Sequence, residues 1–248
     1  MTYNLIGVGN NAKTIKGDGS EYMTAIMYLK PHKTMWKGKV RNICPMADKA
    51  GCVEGCLNTA GRGAMSNVQA GRLRKTELLF EDRKHFINLL KTDITVFNRR
   101  TINRAIQPCV RLDGTSDNQF ERFGIMEQFP AVQFYDYTKI VKRAYKKLPS
   151  NYHLTLSYSE ANPEYANEVK QAVDDTGVNM AVVFGVKSAD DFPATFRGLP
   201  VINGDKDDLR FLDPAHCVVG LIAKGKAKKD TSGFVVHPNE DGTWGRLA

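Results

Sequence analysis

Three cysteines, Cys44, Cys52 and Cys56, crowd into one polar, glycine-containing segment. The chain has five cysteines, an odd number, and this clustering is typical of thiol or metal chemistry in a reducing compartment, not of a disulfide framework. Thiolates are soft ligands that suit iron–sulfur clusters or zinc. We call residues 44–63 the cysteine loop and predict that its three cysteines, the loop cysteines, bind one metal centre. The alternative is that they are three buried apolar side chains.

The number of thiols in the cysteine loop favours iron over zinc. A structural zinc site uses four protein ligands, usually as two closely spaced pairs, and no histidine or fourth cysteine lies near the loop cysteines in sequence. Three ligands suit a four-iron cluster (4Fe-4S) that keeps one iron open for a substrate or cofactor. A zinc site with a distant histidine as its fourth ligand is the alternative. Cys109 and Cys217 begin β-prone runs and are predicted to be core residues.

Polar side chains follow three of the β-prone runs, at the points where strands are predicted to end. The cofactor-binding candidates, which suit the recognition of amines and hydroxyls, are Asp113, Thr115, Ser116, Asp117, Ser157, Ser159 and Glu160. The catalytic candidates, which combine an acid, a phenol and a base, are Asp136, Tyr137 and Lys139. Ordinary capped turns are the alternative. Because parallel strands present ligand sites at their carboxyl ends, we predict that these residues form one site with the cysteine loop.

Short β-prone runs bounded by turn-forming residues predict the strands that position this site. They are 23–29, 110–112, 131–135, 153–158, 180–184, 200–202 and 218–222. Four helices are predicted between them: one capped by Ser66, one capped by Asp82, one over 138–148, and one that begins at Asn162-Pro163 and ends near Gly177. The early Gly-x-Gly at 7–9, followed by two asparagines, lacks the third glycine of a dinucleotide fingerprint and predicts a turn.

Alternating strands and helices predict parallel strands joined by right-handed crossovers. We therefore expect residues 1–248 to form a single α/β domain, a partial (β/α) barrel with mainly parallel strands, in which the cysteine loop follows the first strand. An open doubly wound sheet is the alternative.

The composition bounds the class of protein. With 248 residues, 42% hydrophobic and 25% charged, it is ordinary for a globular chain. Its apolar runs fall far short of the roughly 20 residues that cross a bilayer, and it lacks a signal-peptide pattern, so we expect a cytoplasmic protein without a membrane partner. A net charge of +8 favours a nucleic acid or nucleotide as a partner, with the basic segments 72–75 and 224–229 as candidates. The chain has no P-loop, G-x-S-x-G or H-E-x-x-H motif, which argues against NTP hydrolases, serine hydrolases and zinc proteases.

Longer motifs carry a family resemblance. They are Cys-Pro-x-Ala-x3-Gly-Cys-x3-Cys-Leu-x-Thr-Ala-Gly-Arg-Gly in the cysteine loop, Phe-Glu-Asp-Arg at 80–83, Arg-Leu-x-Gly-Thr-Ser-Asp at 111–117, Gln-Phe-Tyr-Asp-Tyr-Thr-Lys at 133–139, Asn-Tyr-x-Leu-Thr-x-Ser at 151–157 and Leu-Arg-Phe-Leu-Asp at 209–213. Over about residues 44–236 the chain resembles the bacteriophage gene product 88 family. The resemblance implies a phage-encoded protein of the host cytoplasm whose matched strand-end motifs form one site.

A more distant likeness connects the layout to radical S-adenosylmethionine (SAM) enzymes. The order of first strand, cysteine loop, helix and polar turn after the second strand is similar, although their C-x3-C-x2-C spacing is absent. The likeness implies an iron–sulfur enzyme in which the polar turn at 113–117 contacts the methionine end of SAM. The residues implied to contact its ribose are Ser157, Ser159 and Glu160. Those implied to contact a substrate are Asp136, Tyr137 and Lys139. A non-enzymatic iron–sulfur protein for redox chemistry, electron transfer or nucleic-acid binding is the alternative.

Overall fold

The computed structural model describes residues 4–8 and 21–246, and the chain divides into two compact units. The first unit comprises Met1–Cys44, Met65–Asp136 and Lys147–His153, and the second comprises Pro45–Ala64, Tyr137–Lys146 and Leu154–Ala248. The strands are β1 Ile6–Val8, β2 Tyr22–Met27, β3 Lys33–Trp36, β4 Lys39–Asn42, β5 Gln107–Arg111, β6 Gln133–Thr138, β7 Tyr152–Ser157, β8 Met180–Phe184, β9 Thr195–Phe196, β10 Leu199–Asn203, β11 Val218–Ile222 and β12 Val235–Val236. The α-helices are α1 Ser66–Glu81, α2 Arg83–Ile102, α3 Ile125–Gln128 and α4 Pro163–Thr176.

The first unit combines a mainly parallel sheet with two long helices. Its strand order is β1-β2-β5-β6, in which β1 is antiparallel to β2 and the other neighbours are parallel. The helix α2 begins where the Asp82 carboxylate accepts the backbone N–H of His85 at 2.9 Å. Its buried residues, among them Phe86, Leu90 and Ile94, recur every three or four positions and give α2 one apolar face, and the helix packs on β5.

The strands β3 and β4 form a separate antiparallel hairpin in the first unit. Lys37 and Gly38 make the turn between them, with φ of 45° and 73°. Two successive positive φ values are typical of a type I′ turn, whose twist matches that of a two-stranded hairpin. In sequence the hairpin lies between β2 and the cysteine loop.

The second unit is also built on a mainly parallel sheet. Its strand order is β7-β8-β11-β10-β9, with β12 paired to β8, and of these pairs only β10 with β9 is antiparallel. The helix α4 begins where the Asn162 side chain accepts the backbone N–H of Tyr165 at 2.9 Å, and it ends at Gly177 with φ 70°. Its buried face, which includes Val169 and Val173, packs in one core with apolar residues of the strands.

All of the predicted strands are confirmed, as β2, β5, β6, β7, β8, β10 and β11. The mainly parallel pairing is confirmed as well. Within the described residues neither sheet closes on itself, since one ends at β1 and the other at β9. A closed barrel is therefore not observed, and the alternative of an open sheet fits.

Two predicted helix features are wrong. Residues 138–148 do not form an α-helix, because β6 continues to Thr138, whose hydroxyl accepts the backbone N–H of Ile140 at 3.1 Å, and only a 3-10 turn at Val141–Arg143 follows. Ser66 does not cap α1, because the N-cap position is Met65, whose carbonyl accepts the first intrahelical bond.

Other differences concern five strands that were not predicted and the early Gly-x-Gly. The strands β1, β3, β4, β9 and β12 were not predicted, so the cysteine loop follows the β3–β4 hairpin instead of following the first strand directly. Gly7 lies in β1 and not in a turn, while Gly9 and the two asparagines after it lie outside the described residues.

Candidate functional site

The backbone of the cysteine loop is shaped by short-range hydrogen bonds in the second unit. The backbone N–H groups of Ala50 and Cys52 donate to the carbonyls of Met46 and Ala47, at 2.9 and 3.2 Å. Two 3-10 turns, Leu57–Thr59 and Gly61–Ala64, complete the loop before α1. The loop therefore has a defined course without any regular strand or α-helix.

The loop cysteines are half-buried and form no disulfide. In the first unit the sulfur of Cys44 accepts the backbone N–H of His32 at 3.2 Å, and its thiol donates to the carbonyl of Thr115 at 3.8 Å. In the second unit the sulfur of Cys56 accepts the backbone N–H of Asn58 at 3.5 Å and caps the first 3-10 turn. In iron–sulfur centres, such N–H···S hydrogen bonds to the thiolate ligands help to set the reduction potential.

Cys109 and Cys217 have different surroundings. Both are buried, as predicted for core residues. Burial raises the pKa of Cys109 to about 12, and burial together with the nearby Asp213 carboxylate raises the pKa of Cys217 to about 11. Thiols with such pKa values hold little thiolate at neutral pH, so these two cysteines are poor metal ligands.

To bind a metal, several ligand side chains must lie close together, and a suitable thiol alone is not enough. Across residues 4–8 and 21–246, no three or more His, Cys, Asp and Glu side chains are grouped so that they could hold a metal ion. Each loop cysteine is a half-buried thiol outside any disulfide, but the described residues do not present an assembled ligand set. The binding of one centre by all three stays a prediction.

The turn after β5 is built around the buried carboxyl of Asp113. Its Oδ1 accepts hydrogen bonds from the Ser116 hydroxyl at 2.6 Å and from the backbone and side-chain N–H groups of Asn118, both at 3.0 Å. Its Oδ2 is buried and has no hydrogen-bond partner in the part of the chain that the structure describes. Burial raises the pKa of Asp113 well above its usual range, and Asp136 and Asp117 add to the rise. The two oxygens of this carboxyl therefore differ, since Oδ1 accepts three hydrogen bonds and Oδ2 accepts none from the described residues.

Close backbone contacts hold this turn beside Cys44. The Thr115 hydroxyl donates to the carbonyl of Leu29 at 2.6 Å, and the backbone N–H of Asp117 donates to the carbonyl of Ile43 at 2.9 Å. Gly114 is required between them, because a Cβ at this position would lie 2.8 Å from the carbonyl oxygen of Met27. The first unit thus brings together Cys44 and the candidates at 113–117. Their function as one site stays a prediction.

Asp136, at the carboxyl end of β6, supports the Asp113 turn. Its Oδ1 accepts the backbone N–H of Asp113 at 2.9 Å, and its Oδ2 accepts the backbone N–H of Leu112 at 3.2 Å and the Tyr152 hydroxyl at 3.3 Å. The guanidinium of Arg111 lies 3.9 Å from the same carboxylate. The sequence prediction did not include Arg111, and because its partner Asp136 lies on the next strand, no local pattern indicates this buried ion pair.

The other two catalytic candidates lie in the second unit. Tyr137 is half-buried and packs against the apolar side chains of Ala181, Cys217 and Val219. The ammonium of Lys139 lies 6.0 Å from the centre of the Phe234 ring, a cation–π distance. Among the catalytic candidates, Asp136 contacts the Asp113 turn within the first unit.

The end of β7 contacts the cysteine loop within the second unit. The buried hydroxyl of Ser159 donates at 2.7 Å to the carbonyl of Ala50, two residues before Cys52. Gly51 has φ 62°, and a Cβ there would lie only 2.5 Å from the Cβ of Ala161. Glycine alone fits this approach. Ser159 therefore lies against the segment that leads into Cys52.

Glu160, a ribose-binding candidate, is engaged by protein groups. It is 5% exposed and accepts hydrogen bonds from the Arg197 guanidinium at 2.7 Å, the Tyr158 hydroxyl at 3.1 Å and the backbone N–H of Arg246 at 2.7 Å. The side chain of Ser157 is buried too. No local pattern indicates Arg197, which lies 37 positions away in the chain.

The first unit also contains a cleft. It has a volume of about 490 Å³, opens at the amino end of β5 and is lined by residues that include Glu21, Ile102 and Gln107. None of the candidate residues lines it, and ligand sites of parallel sheets lie at the opposite strand ends. We therefore do not assign it to the candidate site.

These features define an α/β protein with mainly parallel sheets and buried polar turns at the carboxyl ends of its strands. The family model described as gene product 88 matches residues 4–238, and the chain belongs to this family. No curated protein and no solved structure matches it. The comparisons give no support to the likeness to radical SAM enzymes, which continues only as a proposal. No helix among the described residues combines the length and apolar character that a membrane crossing requires.

Proposed function

We propose that the protein is an iron–sulfur enzyme of the radical-SAM-like kind, in which the loop cysteines bind one four-iron cluster and the Asp113 turn binds the amino group of SAM. The observation that carries the proposal is found in the first unit. The Cys44 thiol lies 3.8 Å from the carbonyl of Thr115, in the same turn as a buried Asp113 oxygen that has no partner among the described residues. When bound, such a cluster supplies an electron for the cleavage of SAM.

The chemistry of the loop cysteines supports metal binding. They are half-buried, whereas an inert structural cysteine is usually buried completely, as Cys109 and Cys217 are. Backbone N–H groups point at the sulfurs of Cys44 and Cys56, where they stabilise negative charge. Since ligand sets often form only when the metal binds, the cluster and the final order of the loop are expected to depend on each other.

The state of the Asp113 carboxyl supports the binding of an amine. With its raised pKa, the buried carboxyl favours the neutral form until a positive charge arrives. A ligand ammonium group offers both that charge and N–H donors for Oδ2, and a hydrogen bond to a charged group contributes about 1.5–3 kcal/mol. Ser116 and Asn118 hold Oδ1, so the free oxygen has a fixed position.

The order of the strands also favours the proposal. In the first unit the parallel strands follow one another in chain order, β2-β5-β6. In the second unit β7 and β8 do the same, and the order then reverses, since β11 lies between β8 and β10. Successive parallel neighbours are typical of (β/α) barrels, in which polar residues after each strand converge on one ligand.

Metal content tests the iron–sulfur part. We expect anaerobically purified and reconstituted protein to contain about four irons and four sulfides per chain, as a four-iron cluster requires. Substitution of any loop cysteine by alanine should remove most of both. Cys109→Ala and Cys217→Ala are matched controls that should keep them, because these thiols are buried in the sheets. Zinc without sulfide would establish the structural-zinc alternative, and equal loss in the controls would point to general destabilisation.

SAM binding tests the enzymatic part. We expect Asp113→Asn to weaken SAM binding about tenfold to a hundredfold, which corresponds to the loss of one charge-assisted hydrogen bond. Its iron and sulfide content should be unchanged. The matched control is Glu127→Gln, at an exposed position of the same unit. A cluster-loaded protein that neither binds nor cleaves SAM would overturn the enzymatic part and leave a non-enzymatic iron–sulfur protein.

A further inference from the structure

The β3–β4 hairpin is a basic and largely exposed ribbon. Residues 33–42 carry four basic side chains and no acidic one. Lys37 forms an ion pair with Glu81 at 2.7 Å. Lys39 and Arg41 are exposed and have no ion pair among the residues that the structure describes. The free positive charge of the hairpin therefore lies on β4.

The two faces of the hairpin carry different side chains. Residues directly opposite in an antiparallel pair share a face, so Met35 and Val40 lie together on one face, and they are 66% and 58% exposed. On the other face Trp36 lies opposite Lys39. An exposed pair of apolar side chains on a short, unpaired ribbon has no role in the core of the first unit, which indicates a contact with another molecule.

The basic segment 72–75, in contrast, is mostly internal. Arg72 is 8% exposed and stacks on the Tyr28 ring at 4.9 Å. The Lys75 ammonium donates to the carbonyl of Leu5 at 2.8 Å, and burial lowers its pKa. Of the three basic residues in this segment only Arg74 is exposed. The hairpin is a better surface for a polyanion.

We propose that the β3–β4 hairpin binds double-stranded DNA by lying in the major groove. A two-stranded ribbon fits this groove, which is about 12 Å wide, and the four-residue strands span about 13 Å. The Met35–Val40 face lies towards the bases and contacts thymine methyl groups. Lys39 and Arg41 project from the other face of β4, and their long side chains reach the phosphates along the edge of the groove. Duplex RNA fits less well because its major groove is narrow and deep. Single strands need several stacking rings, and the hairpin has only Trp36.

The proposal goes beyond the proposed iron–sulfur function and does not depend on it, since no loop cysteine belongs to the hairpin. It moves the predicted nucleic-acid contact away from the segments 72–75 and 224–229.

The chain offers an intrinsic probe at the contact. It has two tryptophans, Trp36 in the hairpin and Trp244, which packs on Phe184 at 5.3 Å in the second unit. In a Trp244→Phe variant, emission reports on Trp36 alone. We expect a short DNA duplex of mixed sequence to quench this emission at low salt, and we expect added salt to reverse the quenching.

Charge reversal then locates the contact. In the same background, Lys39→Glu with Arg41→Glu should lower duplex affinity about tenfold or more and reduce the slope of log K against log salt by about 2. The control is Lys228→Glu with Lys229→Glu, the same charge change at two exposed lysines of the rival segment, which should alter affinity much less. Unchanged thermal unfolding would show that both double variants fold.

Several results would overturn the proposal. They are no quenching by duplex DNA at low salt, an equal loss of affinity in the control, and single-stranded DNA that competes as well as the duplex. A hairpin variant that keeps its duplex affinity while folded would do the same. If the hairpin binds a protein instead, duplex DNA leaves Trp36 emission unchanged, which again refutes the assignment.

Discussion

Replacement of Asp113 by asparagine should stabilise the metal-free protein at neutral and alkaline pH. The amide keeps the shape of the side chain and an oxygen for the hydrogen bonds from Ser116 and Asn118. It removes a buried carboxyl whose second oxygen has no partner in the described ranges and which Asp136 and Asp117 make harder to ionise. An unpaired buried polar group costs about 1–3 kcal/mol, more when it is charged. We expect a gain of that size at pH 8.

The direction of the pKa shift determines whether Asp113 stabilises the fold at low or at high pH. The folded-state pKa of Asp113 is raised above its ordinary value of 3.8, so the folded chain holds a proton that the unfolded chain releases. The contribution of Asp113 to stability is therefore fully present below about pH 4 and is lost as the pH rises through the folded-state pKa. The asparagine variant does not titrate there. Its advantage over the natural chain should thus be greatest at high pH and should shrink towards pH 4.

Urea unfolding of both proteins between pH 4 and pH 8 measures this difference. For a chain of this size, 1 kcal/mol corresponds to about 2–4 °C in the melting temperature, which gives a second readout. The exposed Glu127→Gln variant should show little change at any pH. The reasoning is refuted if Asp113→Asn is the less stable protein and its deficit grows as the pH rises, because Asp113 would then be an ionised, stabilised carboxylate.

Two further predictions concern packing and thiol reactivity. Gly114→Ala should lower the free energy of unfolding by about 1–3 kcal/mol, because the Cβ of the alanine would lie 2.8 Å from the Met27 carbonyl oxygen. Gly71→Ala in α1, where the nearest atom is 3.8 Å away, should stabilise by about 0.5–1 kcal/mol, and urea unfolding distinguishes the two signs. In metal-free protein at pH 8, iodoacetamide should label the loop cysteines before Cys109 and Cys217, whose pKa values are raised to about 12 and about 11. Early labelling of Cys109, seen by mass spectrometry, would contradict this.

Local signals explain why so much of the strand and helix pattern could be predicted. The pair Asn162-Pro163 specifies a helix start by itself, since the amide caps the first turn and proline fits its first position. Asp82 acts in the same way for α2. The run at 180–184 is apolar throughout, as expected of a parallel strand covered on both faces, and β8 has these bounds.

Features that depend on distant partners could not be predicted. The apolar spacing at 138–148 resembles a helix, yet Thr138 continues β6 and its hydroxyl bonds to Ile140. The hairpin turn uses Lys37-Gly38 in place of the usual Asn-Gly, so its signal was weak. The burial of Arg72 depends on the Tyr28 ring, 44 positions earlier in the chain, which no local pattern encodes.

Asp136 shows that an acidic residue near a strand end can have a structural role in place of the catalytic role that its type suggests. Asp136, an acid near the end of a strand, was predicted to be catalytic, and it lies against the Asp113 turn. Its two oxygens, however, accept two backbone N–H groups and a tyrosine hydroxyl, all from the first unit. A carboxylate with these bonds serves to fix the backbone that carries Asp113. The acid with a free oxygen is Asp113, and because sequence alone does not show which carboxylate is satisfied, the chemistry of the site had to be assigned from its hydrogen bonds.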